Sequence, residues 1–248
     1  MLPTIIGIDT YSIMIFIGAL SAIISYYLYA KKKNYEKNYR LDVELNGVIS
    51  IIVGILFAML FQWLFDMLKD DHGHNNFSMT FFGGLVGGAL CFILIYILYI
   101  KRKYTQHNFL EITRIAPGCI CIAHGFGRIG CFLAGCCYGK ETDSFLGMKF
   151  PDLPNKVYPT QLFEAIFLFL LAAVLFYLAF KKEFKYNLSV YLISYGIFRF
   201  LIEFIRGDDR GAFILSLSPS QWFSIIAFII GILLIYLIPK KFIKKEAQ

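Results

Sequence analysis

Between His124 and Lys140 the chain reads HGFGRIGCFLAGCCYGK, a run dense in groups that can bind or react. On a helix His124, Arg128, Cys131 and Gly135 recur at i, i+4, i+7 and i+11, which is one face. A second constellation, Arg199, Glu203 and Arg206, falls at i, i+4 and i+7. Both lie in apolar surroundings, where an ionisable group costs a few kcal/mol or more and marks a functional site by default. Glu203 between two guanidiniums leaves one cation in excess, or two when Arg128 is added. Surplus guanidinium suits an anionic phosphate head group, because arginine offers phosphate a bidentate fork. Two structural readings stand beside this. Arg199 and Glu203 can form a purely structural pair, and the fourth apolar segment can be a glycine-packed helix whose Arg128 snorkels to the interface.

Of the six cysteines, Cys131, Cys136 and Cys137 with His124 permit a metal reading. Adjacent cysteines rarely both ligate one ion and there is no paired CxxC, so no metal and no cofactor is expected. A disulfide among the three is left open, and Cys91 reads as a small core residue. Weaker signals are YPTQLFEA (Tyr158 to Ala165), which carries Gln161 and Glu164, and Tyr11, an ordinary interfacial aromatic on spacing alone.

These groups need elements to hold them, and composition says what kind. The chain has 248 residues, 58% hydrophobic and 17% charged, with a mean hydropathy of +0.64. A soluble domain is about a quarter charged. Segments of roughly 20 apolar residues, enough to cross a bilayer, fall at about 11–30, 46–67, 80–100, 112–138, 158–180, 187–206 and 218–238. No basic region precedes the first, and a lysine cluster follows it, so it reads as a retained span rather than a cleaved signal. The expectation is an all-α integral membrane protein of about seven transmembrane helices. It forms a single polytopic domain over 1–248 with a small outward loop region at about 139–157.

The loops after the odd-numbered spans and the tail carry 15 Lys and Arg, against 6 in the opposite loops, Lys69 and Arg210 among them. This places the N-terminus outside and the C-terminus in the cytoplasm. The net charge of +7 is therefore a topology signal, and no nucleic-acid partner is expected. The Gly-, Pro- and acid-rich loops Gly139–Val157 and Gly207–Ser216 then face outward.

The motifs resemble the prolipoprotein diacylglyceryl transferases of the bacterial plasma membrane. The family's G-R-x-G-N-F-x-x-x-E-x-x-G appears as GRIGCFLAGCCYG, Gly127 to Gly139, and its F-R-x-x-x-E-x-x-R as FRFLIEFIR, Phe198 to Arg206. Its H-P-S/T-Q-L-Y-E looks like YPTQLFEA, and its W-Y-G-L/I-M resembles TYSIM, Thr10 to Met14. The elements keep family order across nearly the whole chain. The resemblance implies transfer of the diacylglyceryl group of phosphatidylglycerol to the thiol of a lipobox cysteine in a prolipoprotein signal peptide, within membrane lipid. Arg128 and Arg199 would hold the phosphate, Glu203 would orient Arg199, and Tyr11 would line the lipid pocket. Arg206, Gln161 and Gly139 complete the substrate-binding set.

Three departures separate the chain from the pattern. Phe82, in FFGG, stands where the family has a histidine implicated in catalysis; Cys131 and Cys136 replace the signature's Asn and Glu; the Arg-bearing glycine motif is not recognisable around Gly47–Gly54. The acceptor thiol must lose its proton to become nucleophilic. His124 can supply the base, and Cys131 or Cys136 can alternatively carry the group in a two-step transfer. A divergent phosphatidylglycerol-binding relative with another acceptor or no activity remains open. So does a small anion transporter, although no inverted repeat is visible.

Overall fold

A computed structural model describes residues 4–5, 8–68, 81–151, 153–207 and 217–242, and the structural statements below concern these residues. Among them are seven helices long and apolar enough to span a membrane: Thr10–Lys32, Lys37–Leu64, Gly83–Lys103, Phe109–Ala134, Thr160–Lys181, Asn187–Ile205 and Pro219–Leu237. They are numbered first to seventh here. Large apolar side chains on them, such as Phe16, Leu56, Leu98, Ile166, Leu170 and Leu237, are largely exposed. Helices apolar all round with so little burial between them need an apolar solvent, and lipid is that solvent.

Two boundaries differ from the sequence expectation. The second helix begins at Lys37 rather than near 46, because its polar first turns are paired. Arg40 meets Glu44 at 3.8 Å one turn on, and Asp42 meets Lys103 at 2.8 Å. The fourth helix ends at Ala134, four residues short of 138. Gly135 takes φ 76°, its N–H donates to the Phe132 carbonyl, and the Cys136 N–H donates to the Cys131 carbonyl. That bond pair is a Schellman motif with glycine at the left-handed position, so Cys136 and Cys137 lie outside the helix. The first helix has a matching start signal. Asp9 accepts from the Ser12 N–H at 2.9 Å and caps the orphan donors.

The chain divides into two compact units. Tyr26–Phe109 forms one, built on the second and third helices. Asn46, fully buried, donates to the Phe92 carbonyl at 3.1 Å, while Gly54 lies against Gly84 and Gly88. The third helix passes through a π-helical turn at Tyr96–Ile100. Cys91, expected in a core, is half-buried.

The other unit, Met1–Ser25 with Leu110–Gln248, contains the candidate site residues. Its apolar core joins Cys121 to Leu168, Leu171, Ala172, Leu175 and Tyr191. The glycines of the fourth helix are used for close approach: the rings of Phe176 and Phe169 lie over Gly118 and Gly125, where an added Cβ would come within 2.6 and 2.8 Å. Between the fourth and fifth helices the chain makes a hairpin, with Met148–Lys149 antiparallel to Lys156–Val157. Gly139 donates to Tyr158 and Lys140 to Ile205, so this segment ties together the end of the fourth helix, the start of the fifth and the end of the sixth. Gly139 is required at that junction, since a Cβ there would sit 2.5 Å from the Ile205 carbonyl oxygen.

Gly54→Val is expected to weaken the packing of the second and third helices by about 1–3 kcal/mol, because its Cβ meets the Gly84 carbonyl oxygen at 2.9 Å. Gly47→Ala, with nothing within 4 Å, should leave thermal unfolding in detergent unchanged.

Candidate active site

The fifth helix starts with polar residues that have defined work. Thr160 donates its hydroxyl to the Cys137 carbonyl at 2.9 Å, and Gln161 donates its amide to the Cys136 carbonyl at 2.6 Å. One turn further, Glu164 has no exposed surface. Its Oε2 lies 2.8 Å from Arg128 Nε, and its Oε1 accepts from the Tyr195 hydroxyl at 2.8 Å. His124 Nε2 is 3.6 Å from Oε1, and the imidazole meets the Tyr195 ring edge-on at 5.5 Å. Three helices thus converge on one carboxylate. A buried ion pair of this kind is strongly destabilising to break from one side, because the remaining charge is left unpaired.

A second carboxylate organises the end of the sixth helix. Arg199 Nη1 is 2.8 Å from Glu203 Oε2, and Arg199 Nη2 donates to Ser220 Oγ at 3.1 Å. Ser218 donates to Glu203 Oε1 at 2.8 Å, and Arg206 Nε is 3.9 Å from Glu203 Oε2. Glu203–Ile205 is a 3-10 turn, which lets Arg206 follow Glu203 at i+3. Arg199 also acts electrostatically on His124 and Glu164, so the two carboxylate centres form one charged network. Among the described residues of this network, three guanidiniums (Arg128, Arg199, Arg206) face two carboxylates. Arg128, counted as an unpartnered cation from sequence, is thus taken by Glu164.

The turn after the fourth helix gathers the cysteines. Left-handed backbone at Gly135 and at Cys137 (φ 62°) folds the chain back on itself. The sulfurs of Cys131, Cys136 and Cys137 all lie within 4.8 Å of one another. Cys131 is buried, Cys136 exposed and Cys137 between the two. Hydrogen bonds from the Cys131 and Cys136 thiols hold the Cys137 thiol well below the usual range, and the Arg128 and Arg206 cations add to this. Tyr11 packs at Gly130, one residue from Cys131, where a Cβ would come within 3.1 Å of its ring.

Of the residues singled out from sequence, His124, Arg128, Arg199, Glu203 and Arg206 are brought into the charged network. Cys131, Cys136, Gln161 and Gly139 belong to the turn beside it, with Tyr11 at its edge. Gly135 does not extend the helical face, since the helix has ended. The side chain of Phe82, and Lys69, Arg210, Lys244 and Lys245, lie outside the described residues, as does nearly all of the loop to Ser216. Sequence reasoning undervalued Glu164 and missed Tyr195, Ser218 and Ser220. Tyr195 carried a signal, standing four residues before Arg199 and eight before Glu203 on the same face. Glu164 was visible as a carboxylate in an apolar span. Ser218 and Ser220 had none.

The family model for prolipoprotein diacylglyceryl transferase matches residues 2–237. The chain belongs to that family. It is 43% identical over 157 residues to the phosphatidylglycerol–prolipoprotein diacylglyceryl transferase of Clostridium tetani, covering 61% of this chain and 60% of the relative. A second relative, phosphatidylglycerol–prolipoprotein diacylglyceryl transferase 2 of Clostridium perfringens, is 45% identical over 159 residues, 62% and 59% of the two chains. The Rickettsia bellii transferase is 37% identical over 165 residues, 63% and 60% of the two chains. The chain thus spans about 60% of the length of the curated relatives it matches.

Glu164→Gln should destabilise the protein by about 3–5 kcal/mol in thermal unfolding, through the unpaired Arg128. Arg128→Gln should cost a similar amount, and the double variant clearly less than the sum of the two. Strict additivity would separate Arg128 from Glu164 energetically.

Proposed function

We propose that the protein transfers the diacylglyceryl group of phosphatidylglycerol to the thiol of a lipobox cysteine in a prolipoprotein. Family membership supports this reading, and one observation in the chain itself carries it. Arg128 and Arg199 are each held by a buried carboxylate at 2.8 Å, pre-oriented in apolar surroundings, and the oxygens of a phosphodiester match the guanidinium fork. Arg128 and Arg199 are the proposed phosphate ligands, with Arg206, Tyr11, Gln161 and Gly139 shaping the rest of the binding region. Glu203 orients Arg199, and Glu164 orients Arg128.

In the proposed step the acceptor sulfur attacks the glyceryl carbon that bears the phosphate ester. The S–C bond forms as the C–O bond breaks, and glycerol phosphate leaves with the bonding electrons. The thiol proton passes to a base, and His124, held between Glu164 and Tyr195, is the candidate. The arginines stabilise the charge gathering on the departing phosphate, which is the larger electrostatic contribution to such a transfer. We place the site toward the outer face of a bacterial plasma membrane, N-terminus outside and C-terminus cytoplasmic, from the distribution of Lys and Arg.

Phe82 at the family's histidine position favours a second reading, a relative that binds the same lipid but serves another acceptor. Complementation of a strain lacking its transferase separates the two, because only the first reading predicts rescue.

The direct assay is incorporation of radiolabelled phosphatidylglycerol into a lipobox peptide by membranes containing the protein. Arg199→Gln is expected to lower the rate at least about 100-fold, the scale of losing a transition-state donor. His124→Ala should lower it about 100-fold or more. Full activity in His124→Ala would remove this residue as the base while leaving the phosphate assignment standing.

A further inference from the structure

The thiol cluster has no part in the transfer chemistry set out above. Cys131, Cys136 and Cys137 offer three sulfurs all within 4.8 Å of one another, the one group of three or more metal-ligand side chains so gathered among the described residues. The sequence argued against ligation because two of the three are adjacent, and adjacent side chains usually diverge. The backbone removes that objection. Left-handed φ at Gly135 and Cys137 turns the second and third sulfurs toward the first.

We propose that Cys131, Cys136 and Cys137 form a three-thiolate site for a borderline-soft divalent cation of the zinc class. Zinc–sulfur bonds are about 2.3 Å long, which puts the sulfurs of a tetrahedral site about 3.8 Å apart. Closing the present cluster onto an ion therefore asks for shifts of about 1 Å or less. A disulfide fits the arrangement less well. Adjacent Cα atoms stand about 3.8 Å apart, below the usual disulfide range, and any one disulfide leaves the third sulfur over.

The surroundings suit a cation held by thiolates. Three thiolates and a divalent ion sum to one negative charge, and Arg128 and Arg206 act electrostatically on Cys137. The backbone of two ligands is held from outside, by Thr160 at the Cys137 carbonyl and Gln161 at the Cys136 carbonyl. Outer contacts of this kind fix ligand geometry. Cys136 is exposed and gives the ion a way in. Tetrahedral coordination has one further position, which water or an added thiol fills. Ligated sulfurs are not free nucleophiles, so the two-step transfer through Cys131 or Cys136 is not adopted.

The test uses the full chain in detergent, reduced and then freed of reductant without air, titrated with Co2+ and back-titrated with Zn2+. One equivalent of Co2+ should bind with a thiolate-to-cobalt charge-transfer band that Zn2+ abolishes. X-ray absorption of the zinc form should give three sulfurs at about 2.3 Å. Cys136→Ser and Cys137→Ser should each weaken binding at least about 10-fold, whereas Cys91→Ser and Cys119→Ser should not. Where a serine variant fails to fold, the sulfur count of the unaltered protein decides. No charge-transfer band in the reduced protein, a band that survives both serine variants, or a first shell of nitrogen and oxygen would overturn the site. The outcome is independent of lipid transfer, which the radiolabel assay reads separately.

Discussion

A carboxylate without exposed surface, in the second turn of an apolar helix, can stay ionised only if other groups reach it before lipid does. Glu164 meets that condition with Arg128 at 2.8 Å, the Tyr195 hydroxyl at 2.8 Å and His124 at 3.6 Å. Those partners come from the fourth and sixth helices, so the rotation and depth of both relative to the fifth are fixed by one side chain. Such contacts demand close helices, and the fourth helix provides for it. Gly118 and Gly125 accept the rings of Phe176 and Phe169 at separations that any larger residue would forbid. Apolar packing alone would not select this register, since lipid tails solvate Leu and Phe about as well as a neighbouring helix does.

Glu203 extends the same logic with a different balance. It serves Arg199 and Ser218 closely and Arg206 at longer range. Arg199 also acts on Glu164 and His124. The network is thus tight enough to be buried, with three guanidiniums and two carboxylates among its described residues. Under the proposed function a phosphodiester would meet Arg128 and Arg199 with oxygens that match the guanidinium fork.

Much of this was legible in the sequence because the relevant signals are local. Hydropathy located the spans, and the 3.6-residue period placed Arg128 with His124 and Arg199 with Glu203. What could not be read was which helix faces which. Glu164 stood in plain view, yet its pairing with Arg128 depends on helix–helix register, which spacing within one helix does not encode. Arg128 was counted as unpartnered for the same reason. The cysteine turn failed differently: Gly135 fitted the helical face at i+11, and that agreement masked its role as the residue that ends the helix. Glycine at the end of the apolar helical pattern was the available signal. Adjacent cysteines looked unable to converge because no positive φ at Cys137 could be anticipated.

The turn and the charged network are mechanically linked through two helices. Arg128 and Cys131 are consecutive in depth on the fourth helix, and Gln161 and Glu164 are so on the fifth. Gln161 holds the carbonyl of Cys136 while Glu164 holds Arg128. A displacement of the cysteine turn therefore has to be absorbed either in the Gln161 contact or in the ion pair one turn away. The ion pair is the stiffer of the two, because its loss leaves a buried charge whereas the amide can exchange its carbonyl partner. Gathering the three sulfurs onto an ion would accordingly tighten the turn against a fixed frame. That frame is the buried carboxylate, and it bears on the positions of Arg128 and of the thiols alike.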